Sequence, residues 1–150
     1  MGIKCESDMA GKPRGSEELQ HTADWSLRVW AGDLSALFEE AARGLNELAG
    51  VKPSGGKRVK RHFETEAPDA ESLLVAFLSE LIYYQEQQHI GFSIFDIRIF
   101  DMPNNEYRIS ADMEGAPIRS IGKPIKAVTY HNLKIEKTAR GLEAEIVFDV

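Results

Sequence analysis

Asp149 and the carboxylate of Val150 stand side by side where the sequence ends. Two carboxylates that close repel each other unless a cation or a hydrogen-bond donor sits between them. By themselves they read as two solvated charges on a strand end. With a third oxygen ligand from elsewhere they would form a hard-donor site, suited to Ca²⁺, Mg²⁺ or Mn²⁺ rather than to zinc. Nothing local in the sequence supplies that third ligand.

Three other groupings could do chemistry. His21-Thr22-Ala23-Asp24 is a polar cluster inside an otherwise alternating strand pattern. Alternation places His21 on the parity of the apolar face and Asp24 on the opposite one. That reads as a core histidine with a satisfied hydrogen bond and a surface aspartate. Val128-Thr129-Tyr130-His131 sets three polar side chains in a row, with His131 on the parity of Ile125, Leu133 and Ile135. A buried, bonded histidine is expected there, and a ligand or phosphate contact is the alternative. Finally, Lys57, Arg58, Lys60, Arg61 and His62 lead into Phe63. Such a run could touch RNA phosphates, with affinity falling steeply in salt, or could guard an exposed strand edge. Asp24, Asp149, His21 and His131 together would be the side chains of a divalent-metal hydrolase, which also needs an open metal position beside a pocket.

The motifs of nucleotide and acyl-transfer enzymes are missing: there is no Gly-rich phosphate loop, no Gly-x-Ser-x-Gly elbow and no His-Glu-x-x-His. The 150 residues suit one domain, with 43% hydrophobic residues for a core and 28% charged. A formal net charge of -6 disfavours general polyanion binding, so any contact with RNA would use a local patch or a partner. Cys5 is the only cysteine, which excludes an intrachain disulfide and a Cys-based zinc site and suits a reducing cytoplasm. No apolar run approaches the roughly 20 residues that span a membrane.

The elements that must position these groups follow from period and punctuation. Residues 1–16 hold Gly2, Gly11, Pro13 and Gly15 without a period and read as a mobile tail, leaving 17–150 as a single domain. Leu19 to Ala31 alternate as one strand or two short ones. Asp33 can cap a helix whose stripe is Leu34, Leu37, Phe38, Ala41, Leu45 and Leu48, stopped by Gly50. Val59 and Phe63 mark another strand. Pro68 and Asp69 open a second helix with a wider apolar face, from Leu73 to Tyr84, which Gly91 should end. Two hairpins follow: Phe92–Phe100 with Tyr107–Met113 around Pro103-Asn104-Asn105, and Ile125–Ile135 with Leu142–Val150 around Arg140-Gly141. This order predicts an α+β domain, a mostly antiparallel sheet with two helices covering one face.

Taken together these blocks resemble the archease family. The resemblance rests on His21-Thr22-Ala23-Asp24, on Leu34–Leu48 with Ala41, Ala42 and Gly44, and on Glu71–Tyr84. Its most specific part is Lys126-Ala127-Val128-Thr129-Tyr130-His131 followed by Phe148-Asp149-Val150. It departs from the family pattern at Gly115–Lys123, where a histidine is missing, and at Trp25 and Ser26, where an aliphatic residue and a glycine are usual. The resemblance implies a noncatalytic helper of the RtcB-type RNA ligase, an enzyme that joins a 2′,3′-cyclic-phosphate or 3′-phosphate end to a 5′-hydroxyl end with GTP and Mn²⁺. It implies promotion of ligase guanylylation and of multiple turnover in tRNA splicing or RNA repair, with RNA met only through the ligase. It also implies a metal site, usually described as calcium, whose ligands here would be Asp24, Asp149 and the Val150 carboxylate. Asp24 would then be the missing third ligand, held by a first strand that neighbours the last.

Overall fold

Two aspartates start the two helices. In the computed structural model, which describes residues 14–20 and 25–150, Asp33 is extended and its carboxylate accepts the Ala36 N–H at 2.8 Å, opening α1 (Leu34–Ala49). Asp69 does the same for Ser72 at 2.7 Å and opens α2 (Ala70–Tyr83). Each cap satisfies one of the N–H groups that a helix start leaves without a partner. Gly50 at φ 67 ends α1 in the left-handed region. The second helix ends differently from expectation. It runs into a π-helical turn, Tyr84–Gln88, and His89 at φ 55 closes that turn, while Gly91 already belongs to the next strand.

Among the described residues nine strands surround the helices, paired antiparallel throughout. They are β1 (Gly15–Gln20), β2 (Trp25–Ala31), β3 (Lys52–Pro53), β4 (Val59–Ala67), β5 (Ile90–Asp101), β6 (Tyr107–Ser120), β7 (Ala127–Val128), β8 (Glu136–Thr138) and β9 (Gly141–Asp149). They divide into two sheets. The first has the order β1-β2-β9-β7, with β8 also on β9; the second centres on β6, flanked by β4, β5 and β3. The α+β class is as expected, and the division explains the wide apolar face of α2. Leu73, Leu74, Val75, Phe77, Leu78, Leu81 and Ile82 are all buried, so this helix needs cover on more than one side. It meets β4 and β6 of one sheet and β7 of the other, while α1 meets β1, β2 and β9 of the first sheet and β5 of the second. Phe38 of α1 stacks on Phe77 of α2 at 5.8 Å between ring centroids, and Phe95 of β5 meets Phe77 edge-on at 6.2 Å. Fully burying a side chain such as Phe38 stabilises the fold by roughly 1.5–3 kcal/mol.

The first expected hairpin forms around Pro103–Asn105, where Asn104 and Asn105 take φ 70 and 63. The second is more complicated. The stretch read as one strand, Ile125–Ile135, is broken: β7 pairs with the end of β9, β8 pairs with its start, and a turn between them leaves the sheet. Leu133 donates to the Tyr130 carbonyl and Asn132 sits at φ 53, which marks that turn. The glutamate at the start of α2, Glu71, accepts the Ile135 N–H at 2.9 Å and ties the segment down. At the N-terminal side, β1 begins at Gly15, within the segment read as a tail, and Arg14 reaches Glu40 on α1 at 2.6 Å. Cys5 lies outside the described residues. Among the described residues no helix is long and apolar enough to cross a membrane.

The closest approach in the second sheet makes a testable point. Gly115 of β6 faces the bulge in β5 between Phe92 and Ile94. A methyl group there would collide with the Gly91 carbonyl oxygen and meet Phe92 Cα at 2.7 Å. Both obstacles are backbone and cannot swing aside. Gly115→Ala should therefore cost at least about 2 kcal/mol, at the upper end of overpacking costs. Thermal denaturation followed by circular dichroism would read this as a fall in Tm of several degrees, and an unchanged Tm would contradict the geometry.

Candidate functional site

β9 is an interior strand of the first sheet, and its last residues are held from both sides. On one side Trp25 of β2 pairs with Phe148, Ser26 with Val147 and Leu27 with Ile146. On the other, Ala127 pairs with Asp149 and Val128 with Phe148. The Lys126 N–H donates to the Asp149 carbonyl at 2.8 Å, and Thr129 donates both its N–H and its hydroxyl to the Val147 carbonyl, at 2.9 and 3.0 Å. Phe148 is fully buried in the core while Asp149 is exposed. Alternation thus turns the last anchored residue into a support for the carboxylate that follows it. Val150 is half-buried. Lys123 lies over the Trp25 ring at 5.1 Å, so a cation also borders this end of the sheet.

Of the residues singled out from the sequence, Asp149 and Val150 lie at this end. His21 and Asp24 lie outside the described residues. His131 does not match its expectation: it is exposed, in the turn after β7, not buried. Its N–H donates to the Thr129 hydroxyl at 3.2 Å, and its ring Nε2 lies 3.3 Å from Asn132 Nδ2. The chain also moves away from Asp149 in this stretch, since Ala127 is opposite Asp149 and Thr129 is bonded at Val147. That ladder separates His131 from Asp149, a carboxylate a metal hydrolase would pair it with. Among the described residues no three His, Cys, Asp or Glu side chains lie close enough to hold a metal ion. A metal site at Asp149 would therefore need donors from beyond the described side chains. A carboxylate such as that of Asp149 is the donor type a hard cation would take. Sequence reasoning singled out the block Lys126–His131 without its role in closing onto the last strand, and missed Lys123 beside Trp25. Lysines spaced along a proline-containing loop gave no signal that their backbone would close onto the last strand.

The basic run leads into and forms the start of β4, which pairs with β6 and, among the described residues, with no other strand. Arg58 engages Glu114 at 3.1 Å, and Arg61 donates to the Lys60 carbonyl at 2.8 Å. His62 is bridged, its Nδ1 2.8 Å from Asp112 Oδ1 and its Nε2 2.9 Å from Glu64 Oε2. Glu64 in turn accepts from Arg108 at 2.9 Å. These groups share the outer face of the second sheet with Ile94 and Asp96, around a shallow groove of about 490 Å³. Arg58 and His62 of the run are thus engaged by acids, which suits an edge guard better than a phosphate track. The hydrogen bond to Glu64, then that to Asp112, raises the His62 pKa above its ordinary 6.5. The same hydrogen bond from His62, with Arg108 next, lowers that of Glu64.

Comparison with known proteins gives a consistent picture. The Archease protein family (MTH1598/TM1083) matches residues 17–150. Protein archease of Methanosarcina barkeri is similar at 35% identity over 150 residues, spanning 95% of this chain and 100% of its own. That of Pyrococcus abyssi is similar at 31% identity over 139 residues, spanning 89% and 97%. Among solved structures, Methanobacterium thermoautotrophicum protein 1598 superposes with a TM-score of 0.72 at 26% identity, covering 91% of this chain and 99% of that one. The Thermotoga maritima protein TM1083, described as an archease and possible chaperone, gives 0.59 at 25% identity, covering 88% and 94%.

The bridged histidine predicts a pH dependence. A pKa raised on folding means that the His62 bridge stabilises fully below the ordinary 6.5 and that this contribution is lost as pH rises through the folded-state value. NMR titration of the His62 ring should give a midpoint above 6.5, lowered by Glu64→Gln and, to a smaller extent, by Asp112→Asn. A midpoint unmoved by either substitution would show that the bridge does not form in solution.

Proposed function

The chain belongs to the archease family, and from that premise we propose that it is a noncatalytic activator of an RtcB-type RNA ligase in tRNA splicing or RNA repair. It promotes guanylylation and multiple turnover of the ligase and meets RNA only through that partner. Its working surface is the end of the first sheet, where Asp24, Asp149 and the Val150 carboxylate would hold a divalent cation of the calcium class.

One observation supports this choice of surface above others. Trp25 of β2 pairs with Phe148 of β9, and Asp149 follows Phe148 at the end of the sheet. That pairing, with Asp24 preceding Trp25 in the sequence, supports a reading in which β2 and β9 lead to one acidic site. When bound there, the cation supplies positive charge at an otherwise acidic edge. The chain's own residues do the rest. Phe148 and Val128 anchor the strands in the core, Lys126 and Thr129 lock the end of β9, and Lys123 over Trp25 adds a second charge for the partner to read. Without catalytic groups of its own, the protein must act through differential affinity, binding a guanylylation-competent or product-releasing state of the ligase more tightly than a stalled one.

The deciding measurement is multiple-turnover ligation by a cognate ligase, with and without substoichiometric amounts of this protein. Stimulation is expected, with no ligation by the protein alone. Asp24→Ala and Asp149→Ala should each remove the stimulation while leaving thermal stability in place. Each should also weaken calcium binding by at least the roughly 10–100-fold typical of lost outer-shell partners. Adding one residue after Val150 should lower metal affinity by removing its carboxylate from that position. Undiminished stimulation by a folded Asp24→Ala protein would sink the assignment of this surface.

A further inference from the structure

The two edges of the second sheet are protected very differently. β4 carries Lys60 and Arg61 along its edge, preceded by Lys57 and Arg58. β5 is 12 residues long, Ile-Gly-Phe-Ser-Ile-Phe-Asp-Ile-Arg-Ile-Phe-Asp, with neither lysine nor proline. It pairs with β6 from Ile90 to Asp101, and among the described residues no other strand pairs with it. Asn46 of α1 takes up the Phe92 carbonyl at 2.7 Å, at the strand's beginning. Beyond that point lies a long apolar edge of the kind that pairs with other chains. Of the four large hydrophobic side chains that stand most exposed among the described residues, two lie on this strand, Ile94 at 54% and Phe100 at 46%.

The strand is also complementary to itself. If it is laid antiparallel to a second copy about a two-fold axis through Ile97, Asp96 of each copy falls opposite Arg98 of the other. On the same face Ile94 then meets Phe100. On the inner face Phe95 meets Ile99, and Ile97 meets its own mate. Shifting the axis to Asp96 or to Arg98 would set like charge against like charge, so only the Ile97 register satisfies both the apolar and the charged pairs. In a single copy Asp96 and Arg98 have only each other along the strand, at 3.3 Å, with side chains 61% and 66% exposed. A partner strand would give each a second, cross-strand mate.

We propose that the β5 edge is a homodimer interface, with two copies joined antiparallel through Ile94–Phe100 in a register centred on Ile97. The contact is isologous, closes on itself and leaves the Asp149 end of the first sheet outside the joined strands. It extends the sheet rather than covering a groove, so its main-chain bonds give affinity and the Asp96–Arg98 pairs give register.

Sedimentation velocity over a concentration series tests this with the full chain. The wild type should show a monomer–dimer equilibrium. Asp96→Arg and Arg98→Asp each convert two attractive cross-strand pairs into repulsive ones and should raise the dimer Kd about tenfold or more. Mixed in equal amounts, the two variants should form a heterodimer, because each then supplies the charge the other lacks; the double variant carrying both changes should dimerise again. Ile94→Lys and Phe100→Lys provide a second, charge-independent disruption at exposed positions, and circular dichroism confirms folding of each variant. A wild type that stays monomeric throughout, single variants that dimerise like it, or a mixture without heterodimer would each overturn the proposal. A monomer that instead captures an extended strand of another protein on β5 would overturn it too.

Discussion

The pairing of β2 with β9 is the constraint on which the rest of the molecule depends. Seven residues of each strand are in register, from Trp25 opposite Phe148 to Ala31 opposite Leu142. The pairing joins strands 117 residues apart in sequence at Arg28 and Glu145, and there the guanidinium reinforces it by reaching both Glu145 and Glu143, at 3.1 and 3.3 Å. On its far side β9 pairs with β8 at Gly141–Glu143 and with β7 at Phe148 and Asp149, so both ends of the strand are held from two sides.

Local punctuation was the most legible part of the sequence. Asp33 and Asp69 as caps, Gly50 as a stop and Pro103-Asn104-Asn105 as a turn all work through neighbouring atoms, and each stands where its chemistry put it. What was not legible depended on distant partners. The period of 125–135 gave no hint that the strand would be broken, because the turn at Tyr130–Asn132 is made by the Thr129 hydroxyl binding Val147, a residue 18 positions away. His131 was placed in the core by parity alone, and that turn carries it to the surface. The split into two sheets is likewise a tertiary outcome, visible in the sequence only as an α2 too apolar for a single neighbouring face. For the candidate site, the choice of Asp149 came from the residues and that of Asp24 from family resemblance. The described structure carries the adjoining pair, Trp25 and Phe148.

The surface charges divide their labour in a way that a count of ion pairs would miss. Exposed pairs such as Arg43–Glu39 or Arg98–Asp96 add little to stability, about 0–1 kcal/mol each. Their placement matters more than their sum. Across the outer face of the second sheet the rows read Asp96, Asp112, His62 and then Ile94, Glu114, Lys60 along the registers of β5, β6 and β4. Asp96 directly opposite Asp112 is a repulsive pair that His62 relieves on one side by binding Asp112. The lattice fixes the register of the central strand, and it leaves unequal edges, one basic and one carrying alternating charge between apolar residues.

Core and candidate site are separated by a single residue step. Phe148 has no exposed surface, and Asp149, next in the strand, is exposed. Moving Phe148 would cost the packing of a fully buried aromatic, about 3–5 kcal/mol by the scale of Phe→Ala losses. Moving the Asp149 side chain costs almost nothing in packing. The position of the carboxylate is therefore inherited from the core through one peptide unit, and its identity is left free for function. The arrangement holds a charge in a fixed place on a surface that contributes little to the stability of the fold.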